Sequence, residues 1–401
     1  MTNRPSGGTR ATAPRELVPL DEARALVLGI IEPLDAVVAS MDRALGCRLA
    51  RDVVAPFPQP RFDNSAMDGY AVRAAAVPAG GGVIPRSAAS PISTGMPIPE
   101  GADAVVPVER VRARHDRLEI EGAVAPGDHV RRAGEEVAAG AVALEAGSRL
   151  TPGALGLLSG FGYAALPVVP PPRVAILVTG DEVAVPGEPL GDGQVYDADG
   201  PLLRALVREA GGEIVAFERV PDDPRRIGQS LVRMAGGADL VCSTGGASVG
   251  TRDHLVAALA RVGALLIHQL DMKPGRPTSM GLIGSVPAFT LPGNPLAVLL
   301  GFEALARPAL RRLAGHPDVL RPRIRPTSRT TIGHRPGRLE LVPVRLLPGR
   351  PPEAIVATRR RSAMLSGVAV ADGLAFLEAE RGTIEPGEPI TVEAWGSAEG
   401  G

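Results

Sequence analysis

The sequence is poor in aromatic residues and in cysteine, and it carries no excess of charge of one sign. Phe, Trp and Tyr make up 3% of its 401 residues, the cysteines number two, and the formal net charge is -1. A nearly neutral chain lacks the basic field expected of a protein that binds nucleic acid or an anionic membrane. Cys47 and Cys242 have no histidine nearby at metal-ligand spacing, so neither a disulfide framework nor a zinc site is indicated. We therefore expect a reducing, cytoplasmic compartment.

Long uninterrupted apolar runs are also missing. Pro or Gly breaks every candidate, including residues 150–169, before it reaches the roughly 18 residues of a membrane span. Residues 1–14 are rich in Pro, Gly, Thr and Arg and lack the apolar centre of a signal peptide. We expect a disordered leader there and no membrane segment.

The length of the chain predicts several domains, because a single core rarely serves more than about 250 to 300 residues. Apolar residues at helical spacing over residues 20–45, interrupted at Pro33, predict a pair of short helices. Short β-like runs among turn signals follow, and strand and helix character then resumes. This pattern indicates an inserted β domain (48–135) that splits an elongated domain (15–47 and 136–170).

Three consecutive prolines, Pro170 to Pro172, mark the next boundary, since they enforce an extended spacer. Behind them strands and helices alternate. The predicted strands are 173–178, 214–220, 238–242, 264–269 and 288–291, and the predicted helices are 202–210, 253–262 and 295–312. Such alternation predicts a doubly wound, mostly parallel sheet, which we place in residues 171–320. A ligand is expected outside the carboxyl ends of its strands.

Polar, glycine-bearing loops follow these strands. The first strand ends in residues 179–182 (TGDE), and the third in residues 243–250 (STGGASVG). Backbone N–H groups of a Gly-rich loop before a helix suit a phosphate or another tetrahedral anion. A tight turn in which Gly only supplies positive φ explains the same residues. From the residues alone, both interpretations stay open.

Acidic residues at predicted strand and helix edges are candidate Mg²⁺ ligands, since carboxylates facing a phosphate cradle are what the ion requires. They are Glu182, Asp222, Asp223 and Asp253. Taken singly, each is explained more simply as a helix cap or a solvated loop residue.

Two further loops carry hydrogen-bonding groups. Lys273 and Arg276 bracket Pro-Gly, so they either point two cations at an anion or form an exposed basic loop. Asn294, within Pro-Gly-Asn-Pro, is predicted to cap the helix that follows.

The front half contains a loop of unusual chemical density. Residues 62–71 (FDNSAMDGYA) show neither helix nor strand periodicity and contain two carboxylates. Ser93-Thr94-Gly95 opens a second turn of the same character. Loops of this kind are typical of binding sites.

In this order, the loops are similar to those of the molybdopterin molybdenumtransferase family (MoeA type, including the E domain of gephyrin). The matching motifs are FDNSAMDGYA (62–71), STGMPIPEGADAVV (93–106), TGDEV (179–183), GQVYDAD (193–199), STGGASVGTRD (243–253), MKPGRP (272–277) and LPGNP (291–295). The resemblance implies the domains given above, with a molybdopterin-binding α/β domain and a C-terminal β-barrel-like domain at 321–396. It also implies a homodimer whose active site lies between one subunit's α/β domain and the front loops of the other.

The resemblance also implies the site residues. The implied catalytic residues are Asp68, Thr94, Glu136, Glu182, Asp222, Asp253 and Lys273, and the implied Mg²⁺ ligands are Asp68, Glu182, Asp222 and Asp253. The implied cofactor-binding residues are Thr179, Gly180, Asp181, Tyr196, Asp197, Thr244, Gly245, Gly246, Ser248, Gly250, Arg276, Pro292, Gly293, Asn294 and Ser362. Lys273 and Arg276 would hold anionic phosphate or molybdate.

The implied reaction inserts molybdenum from molybdate into adenylylated molybdopterin and releases AMP, the last common step of molybdenum cofactor synthesis. Mg²⁺ and contact with a molybdopterin adenylyltransferase are implied as well. The chain departs from the usual family pattern at Glu136, Gln269 and Arg276, and at 359–362 (RRRS) it lacks a Gly-Ser-rich turn.

Two other functions stay open. The α/β domain type is shared with molybdopterin adenylyltransferases, so the chain could adenylylate molybdopterin instead. Alternatively, it could be a dimeric molybdopterin-binding scaffold without catalysis.

Overall fold

The computed structural model describes residues 17–245, 252–357 and 365–396, except for the side chains of residues 252 and 253. The chain divides into a smaller unit, Val37–Val168, and a larger unit that holds the rest of the described chain. The helices are α1 (Leu20–Ile30), α2 (Met41–Ala44), α3 (Pro152–Gly160), α4 (Asp199–Glu209), α5 (Pro224–Ala235), α6 (Arg252–Val262), α7 (Pro295–Gly301), α8 (Arg307–Leu313) and α9 (Leu365–Val368), with a π-helical segment at Phe302–Ala306 and short 3-10 helices at Ala74–Ala76, Arg86–Ala88 and Val108–Arg110.

The smaller unit is built from short strands in small sheets. Its strands are β1 (Val37–Ser40), β2 (Arg48–Leu49), β3 (Val53–Val54), β4 (Asn64–Ser65), β5 (Gly69–Val72), β6 (Gly81–Pro85), β7 (Ala89–Ile92), β8 (Ala104–Pro107), β9 (Val111–Ala113), β10 (Arg117–Glu121), β11 (Val130–Arg131), β12 (Val142–Leu144) and β13 (Ala165–Val169, whose last residue belongs to the larger unit). The sheet orders are β1-β13-β2, β6-β10-β9, β7-β5-β8, β11-β4 and β12-β3. In β10, Leu118 and Ile120 are buried while their neighbours are exposed, as the two-residue repeat of a strand requires. The expected β character of the front half is confirmed.

The prediction of a second helix after Pro33 was wrong. Val37–Ser40 forms β1, which pairs antiparallel with β13, and only Met41–Ala44 is helical. Two adjacent β-branched valines favour extended backbone, and β13 supplies the hydrogen-bond partners. That partner lies more than a hundred residues away and is invisible to a local pattern.

Helix α1 belongs to the larger unit. Its residues Ala23 and Val27 are fully buried in the same core as Phe289 and Phe302. Residues 17–36 therefore lie with the α/β part of the chain, although the sequence pattern grouped them with residues 37–47.

The larger unit contains the predicted parallel sheet. Its strands are β14 (Arg173–Thr179), β15 (Val183–Ala184), β16 (Val195–Tyr196), β17 (Glu213–Val220), β18 (Leu240–Gly245), β19 (Ala264–Ile267), β20 (Met272–Lys273), β21 (Ser279–Ile283), β22 (Val286–Pro292), β23 (Arg323–Ile324), β24 (Thr327–Ser328), β25 (Leu339–Leu347), β26 (Glu353–Val356), β27 (Gly373–Leu377) and β28 (Thr391–Ala394). A six-stranded sheet has the order β17-β14-β18-β22-β21-β19, in which β21 runs antiparallel to both neighbours. The expected mostly parallel sheet is confirmed.

Central strand β14 shows why this sheet needs helices on both faces. Ile176 packs into one core together with Leu203 of α4, and Leu177 packs into a second core together with Leu231 of α5. Strands buried on both faces read as continuous apolar runs, which is how β14 appears in the sequence.

A second large sheet lies toward the C-terminus. Its strands have the order β23-β28-β27-β25-β26-β24, and β20 adds to β25 in parallel, with Lys273 opposite Glu340. Lys273 is thus held by the C-terminal sheet. Of the helices in the described part of the chain, none combines the length and apolar character needed to cross a membrane.

Candidate active site

The carboxyl ends of four neighbouring parallel strands form one edge of the six-stranded sheet. Thr179 of β14 is in register with Val220 of β17 and with Gly245 of β18, and Gly245 is in register with Pro292 of β22. We call this row, with the residues that follow each strand, the ligand edge. It unites the TGDE, STGG and LPGNP segments that lie far apart in the sequence.

Gly245 is fixed by the close approach of two strands. A Cβ atom at this position would overlap Thr179 Oγ1 and would lie 2.7 Å from the Thr179 carbonyl oxygen. The glycine is therefore required by packing within the sheet. Gly246, Ser248 and Gly250, which continue the predicted anion loop, lie outside the described residues.

The end of β14 meets the end of β17 at a shallow cavity of about 250 Å³, lined in part by Thr179, Gly180 and Asp181. The Asp222 amide donates to Asp181 Oδ1 at 3.3 Å, which places the two acidic loops side by side. Asp181 is exposed, whereas Glu182 and Asp222 are half-buried. Carboxylates of both loops are thus available at this edge.

Asp197 is a buried carboxylate with a full set of partners. Its Oδ2 accepts from Arg219 Nε at 2.9 Å and from Nη2 at 2.8 Å, and its Oδ1 accepts from the Gly200 amide at 2.7 Å. Tyr196, the preceding residue, is exposed, and its hydroxyl donates to the Glu188 carbonyl at 2.9 Å.

Asp199, two residues further on, is also buried, but within the described residues no cation is paired with it. The Thr244 hydroxyl lies 3.1 Å from Asp199 Oδ2 and 3.1 Å from the Pro292 carbonyl oxygen. Burial raises the pKa of Asp199 to about 7, the nearby Asp197 charge adds to the rise, and the contact with Thr244 opposes it. Neither Asp199 nor Arg219 was among the site residues predicted from the sequence. The two acidic residues of Tyr-Asp-Ala-Asp were a signal that could have identified Asp199, whereas no sequence signal pointed to Arg219.

The Lys-Pro-Gly-Arg turn presents its two cations differently. Lys273 is exposed at the end of β20, and Arg276 is exposed but held through Nε, which donates to Gln269 Oε1 at 3.0 Å. Gln269 and Arg276, two of the departures from the family pattern, are therefore hydrogen-bonded to one another.

Two of the polar residues at this edge cap helices. Asn294 accepts from the Ala297 amide at 3.4 Å at the start of α7, as predicted. Asp223 accepts from two amides at the start of α5, and these bonds, led by the one from Arg226, lower its pKa. For Asp223 the simpler interpretation of a helix cap is confirmed.

In the smaller unit, the predicted loops are joined by hydrogen bonds. Asp68 Oδ1 accepts from the Thr94 amide at 2.7 Å, and both residues are exposed. Asp63 accepts from the Ala133 amide and from Arg132, and these partners hold its pKa below the ordinary value. Glu136 is exposed on the surface of this unit.

The predicted Mg²⁺ ligands are distributed over both units. Glu182 and Asp222 belong to the ligand edge, and Asp68 belongs to the smaller unit. Asp253 is the second residue of α6, but its side chain lies outside the described part of the chain, as does Ser362. Within the described residues no three His, Cys, Asp or Glu side chains gather in a group that could hold a metal ion. The donor chemistry suits Mg²⁺, but the described residues of a single chain do not complete its coordination.

Known proteins of one family match most of the chain. Three family models match: the MoeA N-terminal region (domain I and II) at residues 18–162, a probable molybdopterin binding domain at 175–312, and the MoeA C-terminal region (domain IV) at 328–395. Molybdopterin molybdenumtransferase 2 of Mycobacterium tuberculosis is 39% identical over 329 residues, which cover 76% of this chain and 81% of the relative. Molybdopterin molybdenumtransferase of Haemophilus influenzae is 31% identical over 397 residues, which cover 94% and 98%. The crystal structure of the molybdopterin biosynthesis MoeA protein of Pyrococcus horikoshii superposes with a TM-score of 0.80 at 27% identity, over 94% of this chain and 99% of that one.

Proposed function

This chain belongs to the molybdopterin molybdenumtransferase family, and we propose that it inserts molybdenum from molybdate into adenylylated molybdopterin, with release of AMP, at the ligand edge of its six-stranded sheet. The observation that carries the proposal is the row formed by Thr179, Val220, Gly245 and Pro292, because it brings the family's separate motifs to one edge. Open parallel sheets bind ligands at this end of their strands.

The extent of the family match argues against the two alternative functions, a molybdopterin adenylyltransferase and a scaffold without catalysis. A chain that only adenylylated molybdopterin would need the α/β domain, yet the similarity also covers residues 18–162 and 328–395. Curated relatives that are 39% and 31% identical to this chain are named as molybdopterin molybdenumtransferases. No observation favours a scaffold without catalysis.

The substrates carry anionic groups, which Lys273 and Arg276 are suited to bind. Lys273 is exposed and Arg276 keeps its terminal nitrogens unpaired among the described residues, because Gln269 holds only Nε. In our proposal these two side chains bind the tetrahedral molybdate dianion or the substrate phosphates. Thr179, Thr244 and the glycines of the ligand edge shape the pterin phosphate pocket.

The carboxylates fit a magnesium-assisted reaction. In our proposal Glu182, Asp222 and Asp253 of the larger unit would hold Mg²⁺ together with Asp68. A bound Mg²⁺ would neutralise charge that develops at the phosphoanhydride. Thr94, whose amide fixes the Asp68 carboxylate, and Glu136 would orient the substrates and water from the smaller unit.

The position of Asp68 outside the larger unit is the reason to propose a homodimer in which the front loops of one subunit serve the α/β domain of its partner. Contact with a molybdopterin adenylyltransferase, which would hand over its reactive product, is part of the same proposal. We also propose a cytoplasmic location, which suits the free and buried Cys47 and Cys242.

The direct test supplies purified protein with adenylylated molybdopterin, molybdate and Mg²⁺ and follows AMP release and cofactor formation. We expect molybdate-dependent AMP release that is lost in Asp253→Ala. Mixing Asp68→Ala with Asp253→Ala should restore activity if each dimer builds its sites from both subunits. Binding of the pterin substrate without AMP release in the unmodified protein would overturn the proposed reaction.

A further inference from the structure

Asp197 and Asp199 are two buried carboxyl groups on the ligand edge with opposite surroundings. Asp197 receives three N–H donors, two of them from the Arg219 guanidinium. Asp199 receives none from a cation, and its buried Oδ1 has no hydrogen-bond partner in the described part of the chain. An ionised carboxylate in such a place would forfeit the donors that water supplies to it in the unfolded chain. The geometry therefore disfavours a charge on Asp199.

The hydrogen bonds of Thr244 are compatible with the same conclusion, although a Thr244 hydroxyl that donated to Asp199 would favour the charged form. Its hydroxyl carries one proton and lies 3.1 Å from two oxygen atoms, Asp199 Oδ2 and the Pro292 carbonyl oxygen. A carbonyl oxygen can only accept. When Thr244 donates to Pro292, its contact with Asp199 is favourable only if Asp199 carries a proton and donates it. A neutral carboxylic acid completes this chain of hydrogen bonds.

We propose that Asp199 is a neutral carboxylic acid in the folded protein and a positioning residue that, through Thr244, fixes the end of β18 against β22. The protonation state of Asp199 does not depend on the proposed transferase function, whereas its positioning role rests on that function. Since Thr244 directly precedes Gly245 at the end of β18, a displaced Thr244 would displace this part of the ligand edge.

The surrounding ionisable groups are consistent with a neutral acid. Asp197 is negative, and β17 contributes Arg219, which is already paired with Asp197. On β18 the ionisable residue is Cys242, whose pKa burial raises to about 12, and α7 carries none. Arg173 of β14 lies at the opposite end of its strand, and Arg204 of α4 stacks on Phe217. With Asp199 itself desolvated, a pKa of about 7 places the midpoint of its titration near neutral pH.

The spectroscopic test compares unmodified protein with Asp199→Asn after labelling of aspartate with carbon-13 at Cγ. We expect one resonance, absent in the variant, that has the shift of a neutral acid at pH 5 and titrates near pH 7. A resonance that stays ionised from pH 5 to 8 would overturn the proposed protonation state. Asp197→Asn is the matched control, since it removes the neighbouring buried carboxyl group, which is paired with Arg219, and should leave the Asp199 resonance in the spectrum. This measurement needs no turnover, so its failure is distinct from failure of the transferase assignment.

The kinetic test uses Asp199→Asn and Asp199→Ala. Because an amide N–H can donate to Thr244 as the acid does, Asn should restore molybdenum transfer that Ala loses. Above pH 7 the rate of molybdenum transfer by the unmodified protein, relative to that of Asp199→Asn, should decrease by about tenfold per pH unit, because the protonated form of Asp199 that donates to Thr244 is lost. A merely structural role would leave this ratio independent of pH. Asn and Ala variants that are equally slow at every pH would contradict the positioning role.

Discussion

The ligand edge and the front loops of the smaller unit carry polar residues of the same types in opposite environments. At the edge, Asp197, Asp199 and Thr244 are at least 92% buried, and their side-chain hydrogen bonds to described residues are made to strands and helices of the larger unit. In the front loops Asp68 and Thr94 are exposed, joined by one amide donor. Buried polar groups must be satisfied by the fold itself, whereas exposed ones are free to meet a ligand or a partner. The edge is therefore expected to be pre-organised, and the loops to contribute chemistry with little effect on stability.

The largest expected effect concerns the pH dependence of stability at Asp199. In the unfolded chain this carboxyl loses its proton near 3.8, but in the folded protein it keeps the proton until about pH 7. Between these values folding takes up a proton, so the free energy of unfolding should fall with rising pH by about 1.4 kcal/mol per unit. Urea denaturation should show that the free energy of unfolding of Asp199→Asn increases relative to that of the unmodified protein from about pH 4 to 7. Above pH 7 the difference between the two proteins should stay constant. A difference that is constant with pH would contradict the raised pKa.

The next effect on stability compares a buried ion pair with an exposed one, each of which includes a residue of β17. Arg219→Ala leaves Asp197 buried without its cation and should lower the free energy of unfolding by about 3 kcal/mol. Arg233→Ala, which removes an exposed pair with Glu218 of the same strand, is the control and should cost under about 1 kcal/mol. If chemical denaturation showed equal losses of unfolding free energy in Arg219→Ala and Arg233→Ala, the expected difference between the ligand edge and the exposed surface would be contradicted.

A smaller effect tests the approach of β14 to β18. Gly245→Ala should destabilise the larger unit by about 1 to 3 kcal/mol, because the added methyl group meets Thr179 and forces the strands apart. In Gly237→Ala the methyl group meets nothing closer than 3.9 Å, so its unfolding midpoint should hardly move. An unchanged Gly245→Ala protein would show that the ligand edge is less tightly packed than the structure indicates.

The smallest expected effect on stability is in the front loops. Asp68→Asn keeps the shape of an exposed side chain, so the free energy of unfolding should change by less than about 0.5 kcal/mol. The transfer rate should nevertheless fall by about 100-fold, because the charge that would hold Mg²⁺ is gone. If thermal unfolding shifted by many degrees, Asp68 would have to be regarded as a structural residue.

The sequence predicted the α/β sheet well because its signals are local. The apolar run of β14, the alternation of strands and helices, and the Asn294 cap each depend on neighbouring residues. β1 was mistaken for helix because its partner strand is distant, and the addition of β20 to the C-terminal sheet joins residues 67 positions apart. Such pairings are set by tertiary contacts that no local pattern encodes.

The site was predictable to a different degree in the two regions. Strand order placed Thr179, Gly245 and Pro292 together from elementary topology. Residue types alone predicted the loops of Asp68 and Thr94 as binding loops, but the roles of these two residues came only from the resemblance to a family. Asp199 could not be predicted in the same way, because its proposed role depends on its having no cation and no second donor beside it among the described residues, which the sequence does not show.

The most direct measurement pairs equilibrium binding of adenylylated molybdopterin with the rate of molybdenum transfer in two variants. Thr244→Val, which removes the hydroxyl at the end of β18, should weaken binding by about tenfold. Asp68→Asn should bind within about twofold of the unmodified protein and yet transfer molybdenum about 100-fold more slowly. The reverse pattern, with binding lost in Asp68→Asn and intact in Thr244→Val, would contradict the assignment of ligand binding to the edge and of catalysis to the front loops.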